Sequence, residues 1–330
     1  MVRGSFAERS ERGRRVRRFG PILHGRLQRV SETISAGAAG TWTLGDLTVN
    51  RIGFGAMRLP QHDRAFAADA ASRDRDQAIT VLRKAVELGV NHIDTAAFYF
   101  SRLRSANELI NRALAPYPED LVIATKVGPG RDSSGEWLPM ATPQQLRGQV
   151  EENLRQLGRD QLDLVNLRVS GPGAITEQFE ALATLRAAGL IRHLGISAAR
   201  SDHLAQAQTI APVVCVQNPY GLGFRSAQDA LVRACGAQGI AFVPFFAIAG
   251  VGREAGGSGT ENDEVLSIAR AHGATPVQVR LAWALHRGPH VLVIPGTGSP
   301  EHLVDNVAAA SLRLTSDDLT RLETVHQAEQ

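Results

Sequence analysis

Two periods of hydrophobic and polar positions alternate along most of the chain. Short apolar runs recur at Arg51–Phe54, His92–Thr95, Leu121–Lys126, Leu162–Leu167, Ile191–Ser197, Val213–Gln217, Ile240–Pro244 and Val291–Ile294. They have the length and β-branched content of strands covered on both faces. Longer stretches of helical spacing lie between them. Ile79, Leu82 and Val86 mark one helix. Thr142-Pro143-Gln144-Gln145 opens another with a cap, a first-turn proline and a capping-box glutamine; Leu146, Val150 and Leu154 follow, and Gly158 ends it. Thr275-Pro276-Val277-Gln278 repeats that signature before Leu281 and Leu285. Strands interleaved with helices in this way predict an α/β chain, a (β/α)8 TIM barrel of the usual size of about 250 residues. Trp42–Leu44 and Leu47–Val49, around Gly45-Asp46, predict an N-terminal β-hairpin capping one end. The rival, a doubly wound sheet, calls for GxGxxG after the first strand; Gly53-Phe54-Gly55 lacks the third glycine.

Residues 1–40 share neither period. They are rich in Arg, Gly and Ser and end in Ala36-Gly37-Ala38-Ala39-Gly40, which reads as a disordered basic N-terminal arm ahead of a barrel spanning 41–330. Residues 1–30 hold nine arginines against Glu8 and Glu11, a charge of +7, so the rest of the chain is at −4 within the total of +3. The body is therefore mildly acidic, and nucleic acid is not expected as the main partner. The glutamates also argue against a transit peptide. No apolar run nears the ~20 residues of a membrane span. Cys215 and Cys235 sit in apolar surroundings without metal-ligand or CxxC spacing, as buried thiols of a cytoplasmic protein do. Only Lys84 and Lys126 are lysines among 36 basic residues, the bias of a GC-rich bacterial genome. A lysine retained against that bias marks a place where arginine does not serve.

Catalytic groups of a barrel stand at the C-terminal ends of its strands and in the loops beyond. That rule selects Asp94, Lys126 and Arg168, with Tyr99 five residues after Asp94. A phenol with an ordinary pKa of about 10 is a weak acid at neutral pH. An adjacent ammonium favours the phenolate, and a carboxylate places the ammonium, so Tyr, Lys and Asp together make a tuned proton donor. Spacing alone also allows a plain Asp94–Lys126 ion pair beside a surface tyrosine.

Several motifs resemble, in order and over residues ~41–328, those of the aldo-keto reductases: Gly53-Phe54-Gly55-Ala56-Met57, Asn91-His92-Ile93-Asp94-Thr95-Ala96-Ala97-Phe98-Tyr99, Ala124-Thr125-Lys126, Val216-Gln217-Asn218-Pro219-Tyr220 and Ile294-Pro295-Gly296-Thr297. The resemblance implies NADPH as cofactor, bound extended without a Rossmann fold, with NADH a weaker possibility. It also implies hydride delivery to a small carbonyl substrate while Tyr99 protonates the oxygen. Position by position, it puts Tyr220 in a stack on the nicotinamide, Ser197 and Gln217 on its carboxamide, and Ala56 and Met57 beside it. Pro244 and Phe245 fall near the pyrophosphate. Thr297, Gly298, Ser299, His302 and Asn306 fall near the adenosine end, where Ser299-Pro300 would open a helix whose free N–H groups face the 2′-phosphate region. Leu164–Val169, Val243–Phe246 and Gly296–Ser299 resemble more narrowly the bacterial pyridoxal reductase (pyridoxine 4-dehydrogenase) branch, which makes pyridoxal the candidate substrate.

Three positions depart from the common pattern. Ala198 stands where Asn often follows the carboxamide-binding serine. Gly296 and His302 stand where Lys and Arg often meet the 2′-phosphate. Arg168 stands where His is common. Alternatives are a reductase of another aldehyde or ketone and a non-catalytic NADPH-sensing subunit of the same fold. Specificity is expected from the loops Phe98–Arg104, Ser170–Ala174 and Gly221–Arg225, in a monomer with neither a membrane nor a nucleic acid as partner.

Overall fold

The computed structural model describes residues 34–62, 66, 70–132, 134–223, 225, 227–248 and 261–328. A hairpin of β1 (Thr41–Leu44) and β2 (Leu47–Asn50) leads into a parallel sheet ordered β3 (Phe54–Gly55), β4 (His92–Asp94), β5 (Val122–Val127), β6 (Leu162–Arg168), β7 (Ile191–Ser197), β8 (Val213–Pro219) and β9 (Ala241–Phe245). The predicted strand at Val291–Ile294 closes it. Val291 bridges to Phe242 and Val293 to Ile52, both parallel. The hydrogen bonds Leu292 N to Phe242 O (3.0 Å), Val293 N to Arg51 O (2.9 Å) and Gly53 N to Val293 O (2.8 Å) complete the ring. The expected (β/α)8 barrel is therefore present, its eighth position filled by isolated bridges.

The helices begin and end where local chemistry directs. α3 (Pro143–Leu157) and α8 (Pro276–His286) both carry the anticipated capping boxes, and Gly158 ends α3 in the left-handed conformation at φ 62°. In α1 (Arg75–Glu87), Leu82 is buried but Ile79 and Val86 are only half-buried; the core face is Ala78, Val81, Leu82 and Ala85. The hairpin plugs the N-terminal end of the barrel. Its Leu44 and Val49 pack with Val122, Ala124, Leu164, Cys215, Ala241 and Leu292, the inward-facing residues of the strands. The opposite, C-terminal mouth stays open to a cavity. Cys215 and Cys235 are both buried thiols.

The arm's expected boundary at residue 40 moves. Ala36–Ala39 form a 3-10 turn capped by Ser35, whose Oγ accepts from Gly37 N. Ala36 is fully buried, with its N–H donating to Leu88 O at 2.8 Å. Arg51 and Arg313 donate to the carbonyls of Ala39 (3.2 Å) and Ala38 (2.8 Å). These partners are distant in sequence, so no periodicity announces them. Residues 1–33 of the expected arm lie outside the described residues. A chain truncated before residue 40 should melt below one truncated before residue 34, by about 2–4 °C for each kcal/mol those contacts contribute. Coincident melting curves would show the turn to be a bystander.

Candidate active site

The register of the parallel strands sets the chemistry side by side. Asp94 pairs with Ala124, Lys126 with Asn166, Arg168 with Ser197, and Ser197 with Gln217. Successive strand ends thus step around the mouth and present a carboxylate, an ammonium, a guanidinium, a hydroxyl and an amide to a cavity of about 350 Å³. Gly55 and Gly296 line it where the barrel closes. A Cβ on Gly55 would lie 2.6 Å from the Ile294 carbonyl oxygen, and one on Gly296 would lie 2.5 Å from that of Gly55. Only glycine lets these strand ends abut.

Lys126 and Asp94 form a buried pair. Nζ donates to both carboxylate oxygens at 2.7 Å and to Thr95 O at 3.0 Å, and both side chains are about 95% inaccessible. The ammonium also lies 4.9 Å from the centroid of the Tyr99 ring. Tyr99 is held through its backbone, with N–H to Ala96 O (3.0 Å) and O from Ala106 N (2.9 Å), and its ring packs edge-on against Phe98 at 5.1 Å. Burial raises the Tyr99 pKa, while Lys126 and Arg168 pull it down; burial wins. The lowering expected from Lys126 is real but outweighed by desolvation. Burial also raises Asp94 against the pull of Lys126, and it lowers Lys126, though less than Asp94 and Tyr99 raise it.

Gln217 Nε2 donates to Asp94 Oδ1 at 3.0 Å, and its Oε1 accepts from Asn166 Nδ2 at 3.2 Å. Arg168 makes no ion pair among the described residues; Asp94, one carboxylate that could have paired with it, is taken by Lys126 and Gln217. Its guanidinium lies over the rings of Trp137 (4.1 Å) and Phe98 (5.4 Å), and burial lowers its pKa.

Of the anticipated cofactor residues, Met57, Ser197, Gln217, Pro244, Phe245 and Gly296 line the cavity with the four catalytic candidates. Ala56 is wholly buried in the core beside them. Tyr220 corrects an expectation. Its ring is fully buried and stacks on Trp283 at 5.6 Å, with its hydroxyl on Asp229 at 2.7 Å. β8 ends at Pro219, and the residue beyond turns outward, away from the mouth. Thr297, Gly298, Ser299 and His302 lie at the start of α9 (Pro300–Ala308), and Asn306 in its last turn, all outside the cavity lining. There two of the expected free donors are taken up, Ser299 N by Thr297 Oγ1 (3.1 Å) and His302 N by Ser299 Oγ (3.2 Å), and Pro300 has no N–H. Of the three loops expected to set specificity, only the one starting at Phe98 lines the cavity among the described residues.

Phe66 went unseen in the sequence, and so did the backbone strain at Ala198 and Phe246. Phe66, Ala198 and Phe246 are the described non-glycine residues with positive φ (67°, 54° and 67°), and all three line this cavity. Such backbone strain costs on the order of 1–3 kcal/mol each and gathers at functional sites. Ala198 is held by its neighbour's partner: Asn218 accepts from Ala199 N (2.9 Å) and donates to Ala199 O (2.6 Å). None of this has a local sequence signal, since each contact joins separate strands.

Comparison with known proteins shows the family to which this barrel belongs. The profile of the aldo/keto reductase family matches residues 51–327. The chain is 43% identical over 295 residues to pyridoxine 4-dehydrogenase of Escherichia coli, covering 87% of this chain and 99% of that protein. It is 35% identical to an uncharacterized oxidoreductase of Schizosaccharomyces pombe, covering 91% and 94%. An aldo-keto reductase of Klebsiella pneumoniae, solved in complex with NADPH, superposes with a TM-score of 0.70 at 28% identity, over 84% of this chain and 92% of that one. With the barrel, the buried Lys126–Asp94 pair and Tyr99 at one mouth, the chain belongs to the aldo/keto reductase family.

Proposed function

We propose that this enzyme reduces aromatic aldehydes bearing a neighbouring hydroxyl, with pyridoxal as the candidate substrate and NADPH as the reductant. The observation that carries this is Arg168, a partly buried guanidinium with no carboxylate partner among the described residues, laid against Trp137 and Phe98 at the cavity that holds Tyr99. A desolvated cation without a counter-charge favours an anionic ligand. The walls are aromatic, suited to a flat ring. A phenolate beside the aldehyde would meet Arg168 as the carbonyl oxygen meets Tyr99.

The cavity also suits a nicotinamide. Ser197 and Gln217 are buried polar groups lining the cavity together with Phe245, whose ring packs at 4.8 Å against Phe246. Phe245 offers the ring face first assigned to Tyr220. Ser197 and the second lone pair of Gln217 Oε1 are free to hold the carboxamide. When bound, the nicotinamide supplies a hydride to the carbonyl carbon. Tyr99 gives its proton to the carbonyl oxygen, Lys126 stabilises the phenolate left behind, and Asp94 fixes Lys126. Thr297, Gly298, Ser299, His302 and Asn306 remain the proposed adenosine end. Capped amides and the acidic Glu301 in the first turn of α9 make the preference for NADPH over NADH modest.

Arg168→Met should cut kcat/KM for pyridoxal and salicylaldehyde far more than for benzaldehyde, by about tenfold or more for the loss of one charge-assisted contact. Equal losses for all three aldehydes would remove Arg168 from substrate recognition.

The raised pKa of Tyr99 has a sign that can be tested. Aldehyde reduction uses the neutral hydroxyl, so this group keeps the rate level up to about pH 10. Alcohol oxidation uses the phenolate, so its rate should climb with pH throughout that range. A reduction rate that falls through an apparent pKa near about 7 would contradict a desolvated Tyr99 as the donor.

A further inference from the structure

We propose that Arg131 is a positioning residue for Tyr99, a single guanidinium that fastens three loops of the barrel mouth together. The proposal rests on Tyr99 being the proton donor, as argued above. Arg131 lies just beyond β5 in a turn that bridges Arg131 to Trp137. Its Nε donates to Gly135 O at 2.8 Å within that turn. Nη1 donates to Phe98 O at 3.3 Å and to Phe100 O at 3.1 Å, the two carbonyls on either side of Tyr99. Nη2 donates to Phe66 O at 3.0 Å.

All four acceptors are backbone carbonyls, and among the described residues Arg131 forms no ion pair. Its guanidinium also lies 5.2 Å from the centroid of the Phe66 ring and 4.7 Å from that of Phe100. The acceptors belong to segments after β3, β4 and β5, each of which brings a ring to the site. Phe66 packs on Tyr99 at 5.9 Å and on Trp137 at 5.3 Å, and Trp137 in turn lies over Arg168. Loops at a barrel mouth have few fixed partners of their own. Here a fork of rigid donors supplies the missing order, which a lysine ammonium cannot do because it lacks the planar spread of N–H groups. Through the carbonyls of residues 98 and 100, Arg131 sets where the Tyr99 hydroxyl points; through Phe66 and Trp137 it sets the aromatic wall.

The test compares wild type, Arg131→Ala and Arg131→Lys with NADPH and benzaldehyde as probes. A displacement of about 1 Å at a reacting group costs on the order of 10²-fold in rate. Both variants should lose about 10- to 100-fold in kcat while KM for NADPH stays unchanged, since Arg131 does not line the cavity. Added guanidinium ion should restore part of the loss in Arg131→Ala and do nothing for wild type. Amide hydrogen exchange at residues 98–100 should quicken in both variants, and tryptophan emission should change through Trp137. Unchanged kcat, or a lower melting temperature with no guanidinium rescue and no change in exchange at 98–100, would overturn the proposal. Exchange needs no turnover, so it judges Arg131 even if Tyr99→Phe proves as active as wild type, the result that would sink the reading of Tyr99 instead.

Discussion

Replacing Tyr99 with Phe is expected to lower kcat by about 10²–10⁴-fold, the usual contribution of a positioned general acid, while NADPH affinity is preserved. Only the hydroxyl is lost. The ring keeps its contacts with Phe98 and Phe66, and the backbone bonds of Tyr99 to Ala96 and Ala106 do not involve the side chain. No neighbour can take over. Arg168 does not give up a proton near neutral pH. Lys126 has its pKa raised and its Nζ committed to Asp94 and Thr95. Single-turnover hydride transfer measured by stopped flow, alongside an NADPH fluorescence titration, separates the chemical step from binding. Wild-type turnover in this variant would end the mechanism.

Lys126→Arg should be nearly as damaging, and for a geometric reason. The three contacts of Nζ fill a site about 96% inaccessible to solvent. A longer, planar, forked cation overfills it and moves the charge relative to the Tyr99 ring. We expect a loss of about 10²-fold or more in kcat. Lys126→Met should act differently. It strands the buried Asp94 carboxylate, at a cost of about 3–5 kcal/mol in stability. Asp94→Asn in the same chain should return much of that stability and none of the rate. Denaturant melts and kcat on the three variants check this. Full activity in Lys126→Arg would reduce the pair to an ordinary ion pair. That Lys126 is one of two lysines in so arginine-rich a chain fits a position where shape matters as well as charge.

The parts of the fold and site that were legible in the sequence are those governed by local rules. Capping boxes at Thr142 and Thr275, and the alternation of apolar runs with helical spacing, are written within a few residues of where they act. The convergence of Asp94, Lys126 and Arg168 follows from parallel strands in register. Tyr220 was misplaced because its fate depends on Trp283, some sixty residues on, which draws the ring outward. The Ala36–Ala39 turn was read as disorder because small residues carry no period; its partners are Leu88, Arg51 and Arg313. The α9 amides were expected to be free because Ser299 was correctly read as a cap, without the consequence that a cap consumes the donor it satisfies. Arg131, Phe66 and the strain at Phe246 were invisible for the same reason as Tyr220: they depend on contacts between segments distant in sequence.

The most direct test is NADPH consumption by the wild-type enzyme with a panel of pyridoxal, salicylaldehyde, benzaldehyde and a short aliphatic aldehyde at matched concentrations. The predicted result is reduction of all the aromatic aldehydes, with kcat/KM highest for pyridoxal and salicylaldehyde, the two that place a hydroxyl within reach of Arg168. Bound NADPH with no aldehyde-dependent oxidation of it, or a preference for the aliphatic aldehyde over every aromatic one, would contradict it.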